Sequence, residues 1–181
     1  MRLPRARLLA GAALALMAAA PASAAPAAPT APGTIAVPAG HKPFLLAHAT
    51  GVQRYPCTTV PGGHAWGPST PRADLYGENG HRIGDHFGGP SWRATDGSTV
   101  VATRDAGATV DPTAIPWLRL KRASATAGPD GDRLVATTYI QRIATVGGLA
   151  PAADRCNALT VGTTVEIPYT ADYLFWKEHA A

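Results

Sequence analysis

Residues 84–104 read GDHFGGPSWRATDGSTVVATR, and the way this stretch folds decides the architecture of the chain. Its second half is punctuated as a β-hairpin. Thr95-Asp96-Gly97-Ser98 places Asp-Gly at its centre, and both residues tolerate the positive φ of a two-residue type I′ turn. With Thr95 opposite Ser98, Ala94 faces Thr99, Arg93 faces Val100 and Trp92 faces Val101. Alternation then puts Trp92, Ala94 and Val101 on one face, with Ser91, Arg93 and Ser98 on the other. The first is the core face, so Trp92 is expected inside. In the first half, Asp85 and His86 are consecutive just before the Gly88-Gly89-Pro90 break. On a regular strand they point to opposite faces.

Working outward, the same grammar recurs. Pro and Gly interrupt the chain every few residues after Pro43, and windows with helical periodicity are scarce. Runs such as PFLLAHA, STVVATR, IPWLRLKRA, RLVATTYIQRIAT and TTVEIPYTADYLFWK are rich in Val, Ile, Thr and aromatic residues. AGPDGDR at 127–133 reads as a hairpin tip, and Pro168 marks a strand start, edge or bulge. This spacing predicts an all-β fold, a single antiparallel β-sandwich of jelly-roll type.

The first 24 residues carry the three parts of a secretory signal peptide. Arg2, Arg5 and Arg7 form a basic start, Leu8–Ala20 an apolar run, and Ala22-Ser23-Ala24 a small-residue cleavage site. The Ala/Pro-rich segment 25–35 has no core-forming pattern and is expected to be a mobile leader to a single domain over 36–181. Export by the general secretory route to an extracellular location follows, with no stable membrane insertion. The full chain has 16 Lys+Arg against 12 Asp+Glu. Removing three arginines with the signal leaves 13 against 12, a charge of +1, so no basic stripe remains for nucleic acid. Cys57 and Cys156 are the only cysteines, and an even pair in an exported chain predicts a disulfide.

The chemistry-bearing residues cluster thinly. His81, Asp85 and His86 have the types for a metal site, but on a regular strand they diverge and no further ligand cluster accompanies them, and no cofactor motif is present. A hydrolase built on His86 as general base would draw a nucleophile from Ser91 or Ser98 and an acid from Asp85, Asp96 or Asp172. No G-x-S-x-G elbow supports it, and the residues favour a binding protein over an enzyme. Gln141 and Arg142 sit inside a strand pattern and are expected on the surface, with Asp172 as an ion-pair partner. A binding site would gather Asp85, His86, Gln53 and Arg142 near the Gly88-Gly89 corner. The leading functional expectation is a non-catalytic extracellular module binding a glycan or another small ligand, or associated with a surface. A small hydrolase and a structural envelope or coat protein are the alternatives.

Five blocks occur in an order that resembles a known family: GVQRYPC at 51–57, HFGGPSW at 86–92 followed by DGS, IPWLRL at 115–120, YIQRIATVGGLAP at 139–151 and IPYTADYLFW at 167–176. Together they resemble the secreted bacterial and fungal family of unknown function DUF3455. The resemblance implies an exported all-β domain with its cysteines in the first block and just after the fourth, and no settled activity. Some relatives carry dehydrogenase-type names. The glycine-rich loop GENGHRIG at 77–84 is not a dinucleotide-binding fingerprint between a strand and a helix, which argues against that activity here.

Overall fold

In a computed structural model of the protein, residues 30–179 are described. The expected signal segment and the first residues of the leader lie outside them. The described residues form nine strands: β1 (His41–Val60), β2 (Gly63–Trp66), β3 (Thr70–Tyr76), β4 (Arg82–Phe87), β5 (Ser91–Ala94), β6 (Thr99–Ala108), β7 (Trp117–Thr126), β8 (Thr137–Gly147) and β9 (Thr164–Glu178). The expected all-β, antiparallel fold with one disulfide is what the structure shows. From β3 onward each strand pairs with the next, and β9 returns to pair with β1 from His41 to Pro56. The sheet therefore closes into a ring of eight strands, with β2 annexed to the end of β1. The connectivity is a meander, without crossing connections of the jelly-roll kind. Opposite walls of the ring face each other across one core, as the layers of a sandwich do. Closure removes the unpaired edges that an open sheet would present.

Small and large side chains share the interior. Ala47, Ala49, Ala73 and Ala171 line it beside Trp92, Tyr173 and Phe175, all nearly or fully buried. A ring of this size has room for its large aromatics where the facing positions are alanine. Trp92 is fully buried, which at about 25 cal/mol per Å² corresponds to roughly 4 kcal/mol or more of transfer free energy.

The hairpin after Trp92 differs from expectation by one residue. Trp92 pairs with Val100 and Arg93 with Thr99. The turn is a three-residue loop, Thr95-Asp96-Gly97, closed by Ala94 N–H donating to the Ser98 carbonyl at 2.9 Å. Gly97 alone takes the positive φ, +81°, which matches a type I turn followed by a left-handed glycine. Asp96 selects this longer loop. Its Oδ1 accepts from Ser98 N–H at 2.9 Å and Ser98 Oγ–H at 2.6 Å, and its Oδ2 accepts from Arg133 N–H at 2.9 Å. Trp92 is inside as expected, but its companions are Val100 and Ala102, not Val101.

The tip at 127–136 joins β7 to β8 and packs against that turn. Asp130 N–H donates to the Asp96 carbonyl at 3.1 Å, and a Cβ on Gly131 would stand 2.6 Å from Asp96 Oδ2. At the opposite side of the molecule Cys57 and Cys156 form the disulfide, with Cα atoms 5.3 Å apart and a sequence separation of 99. Among the described residues no helix is long and apolar enough to cross a membrane.

The leader contributes to the fold at its end. A 3-10 turn at Gly33–Ile35 lays Ile35, fully buried, against the outside of the ring. Gln141 Nε2 donates to the Ile35 carbonyl at 2.8 Å, and Trp176 Nε1 donates to Gln141 Oε1 at 3.0 Å. Gln141 is thus buried under this strap and not on the surface. Asp172, expected as the partner of Arg142, instead accepts from His48 Nδ1 at 2.6 Å across the β1–β9 seam.

Candidate ligand site

The ring positions one girdle of side chains at the end that carries the β4–β5 turn. Gln53 on β1, Pro71 on β3, His86 on β4 and Trp92 on β5 supply one half. Arg104 on β6, Leu118 and Leu120 on β7, Arg142 on β8 and Tyr173 on β9 supply the other. Register explains the assembly: Gln53 pairs with Pro71, His86 with both Ala73 and Trp92, Leu118 with Arg142, and Arg142 with Tyr173. Several of the lining residues are therefore lateral neighbours in the sheet. They enclose a cavity of about 210 Å³, whose rim includes Gly89 and Pro90. At about 30 Å³ per water the cavity holds roughly seven waters, or one small ring compound.

His86 forms the floor beside Trp92. Its imidazole stacks on the indole, ring centroids 4.3 Å apart and planes 11° from parallel, and Tyr173 meets both rings edge-on. His86 Nδ1 donates to the Ser91 carbonyl at 2.8 Å, which leaves Nε2 as an acceptor in the neutral ring. Burial pushes its pKa down to about 3, with the Arg142 charge adding to the fall and the Ser91 bond opposing it. The ring is neutral at physiological pH. Burial also raises Tyr169 and Tyr173, whose hydroxyls lie 3.3 Å apart, so both remain protonated.

Two buried donors of girdle residues have no partner among the described residues. Gln53, 2% exposed, leaves Nε2 unpaired, and fully buried Trp92 leaves Nε1 unpaired. Such orphaned groups are rare in native proteins and cost about 1–3 kcal/mol each. Arg142 is half-buried and held in place by Nε and Nη2 donating to the Pro116 carbonyl at 3.1 and 2.8 Å. Arg104 is exposed at the rim, where a Cβ on Gly107 would stand 2.5 Å from its Nη2.

Of the four residues expected at a site, the structure brings Gln53, His86 and Arg142 to one cavity and leaves Asp85 out. Alternation along β4 points Asp85 to the outer wall, where it accepts from Arg93 Nε at 3.1 Å and Nη2 at 2.9 Å. Among the described residues no hydrogen bond joins the His86 ring to a carboxylate or to a serine hydroxyl. His86 is oriented by a backbone carbonyl in place of Asp85, and the Ser98 hydroxyl is committed to Asp96 on the hairpin turn. His81 is exposed in the turn before β4, away from the buried His86.

Arg104, Leu118 and Tyr173 escaped the sequence reading. Arg104 was hidden by the one-residue register: with Val101 inside, Arg104 falls outside, whereas Val100, Ala102 and Arg104 share the inner face of β6. The signal was the Asp96 side chain, which favours a three-residue turn.

The family model described as a protein of unknown function, DUF3455, matches residues 38–177. No curated protein and no solved structure matches the chain.

Proposed function

The chain belongs to the DUF3455 family, and from that premise we propose that it is an exported, non-catalytic binding protein that holds a small ligand in the mouth of the ring. The observation that carries this reading is the cavity itself, bordered by side chains from eight strands, with Gln53, His86, Arg104 and Arg142 as polar groups in its lining. Pockets set in the mouths of closed sheets, apolar with a few convergent polar groups, are a common form of ligand site. The neutral, deeply buried His86 favours binding over hydrolysis, because a ring whose pKa is about 3 is a poor general base near neutrality. The formed disulfide supports an oxidising location outside the cytoplasm.

A glycan laid across an aromatic platform is less well supported than a compact ligand. One face of Trp92 is covered by His86, and the indole is fully buried, so it offers no open face for a sugar ring. The test is a thermal-shift screen of neutral and charged compounds of one ring or less, repeated on Leu118→Trp. Ligands that raise the midpoint of the wild-type protein and fail to do so in the variant support the site. If no compound shifts the wild type, or the variant responds equally, the proposal is lost and a stable scaffold role gains.

A further inference from the structure

The charge around the cavity is one-sided. Arg104 and Arg142 both line it, and no Asp or Glu does. Among the described residues, the ion pairs engage Arg54, Arg82, Arg93 and Arg119 with carboxylates on other parts of the molecule, and neither cavity arginine takes part. Arg142 is fixed by the Pro116 carbonyl, a neutral acceptor that orients the guanidinium without cancelling its charge. A half-buried cation whose charge no carboxylate cancels is a site prepared for negative charge. The remaining wall, Leu118, Leu120, Pro71 and Pro90, is apolar.

Resting on the reading of this cavity as a ligand site, we infer that its ligand is a small organic carboxylate, with an apolar body of about one ring seated among Leu118, Leu120 and Pro71. The carboxylate lies toward Arg104 and Arg142, and Gln53 is the neutral polar side chain that lines the same cavity. The cavity volume of about 210 Å³ suits a compact body of about one ring better than a long acyl chain or an oligosaccharide. Arg142 has two of its N–H directions committed to Pro116, so it contributes charge and one free edge, while Arg104 at the rim retains its full fork. That division suits a singly charged planar group better than a tetrahedral dianion.

The test compares binding of acetate, benzoate and 4-hydroxybenzoate with their amides and with inorganic phosphate, by calorimetry at low and high salt. The full disulfide-bonded protein is used, with Arg104→Gln, Arg104→Lys and Leu118→Trp as variants. At least one aromatic carboxylate binds about tenfold or more tightly than its amide, as expected when a charged hydrogen bond is lost. Arg104→Gln removes most of that preference, Arg104→Lys restores part of it, and added salt weakens the acid but not the amide. Because Arg104 is exposed, its variants keep the wild-type thermal midpoint, which separates lost binding from lost folding. Equal binding of acid and amide, both abolished by Leu118→Trp, overturns the carboxylate and leaves the cavity as a ligand site. Phosphate binding as tightly as the aromatic acids also overturns it. Binding by none of these compounds overturns the carboxylate, and binding that survives Leu118→Trp defeats both readings.

Discussion

His86 and Trp92 are cross-strand partners on β4 and β5 whose rings stack at 4.3 Å, so a polar, titratable group is built into the aromatic centre of the barrel. The pairing joins stability and site, since the same two side chains plug the core and floor the cavity.

The His86 pKa gives a pH dependence with a definite sign. Folding lowers it from 6.5 to about 3, so the unfolded chain binds the extra proton as pH falls. The associated stability is present above about pH 6.5 and is lost progressively on acidification toward pH 3. Between pH 8 and pH 5 the loss is about 2 kcal/mol, with a slope approaching one proton near pH 5. Urea unfolding at a series of pH values reads this directly. His86→Phe, less stable overall for leaving the Ser91 carbonyl unpaired, shows a flatter profile in that window. Equal slopes for the two proteins would contradict it.

Trp92→Ala removes the largest fully buried side chain. The expected cost is about 3–5 kcal/mol, which matches the scale for deleting a core aromatic. Tyr173 and His86 would lose their shared ring contact, so near-ultraviolet dichroism falls along with the denaturation midpoint.

Reduction of Cys57–Cys156 releases a loop whose ends are 99 positions apart. By the chain-entropy argument this costs up to about 4–5 kcal/mol. Calorimetry with and without reductant, and on a Cys57→Ser/Cys156→Ser double variant, should show the same drop in midpoint. An unchanged midpoint would mean that the sheet closure alone holds β1 in place.

Asp96→Ala strips an acceptor from Ser98 N–H, Ser98 Oγ–H and Arg133 N–H. The loss is expected at about 1–3 kcal/mol, while Asp96→Asn, which keeps one carbonyl acceptor, costs less. Chemical denaturation of both variants measures the difference, and equal costs would remove Asp96 from its role as the link between the two turns.

Asp85→Ala provides the contrast. Its pairing with Arg93 is on the outer wall, where exposed ion pairs contribute about 1 kcal/mol or less. Both midpoint and ligand binding therefore stay near wild type, whereas Gln53→Ala and Arg142→Met weaken binding.

Alternation and composition were enough to establish an antiparallel all-β chain, a disulfide between the two cysteines, an inward Trp92, and Asp85 and His86 on opposite faces. These are local consequences of a two-residue period and of the chemistry of an even cysteine pair. The tertiary structure decided what local rules leave open. Asp96 captured three donors from two segments and lengthened the hairpin loop by one residue, which turned Val100, Ala102 and Arg104 inward. The Gly33–Ile35 strap buried Gln141, so the adjacent Arg142 faced the interior. Closure of β1 on β9 then brought Gln53 around to Tyr173 and Arg142, residues nearly 90 or more positions away in sequence. Which side chains meet across a closed ring depends on its register and circumference, and neither is written in any single strand.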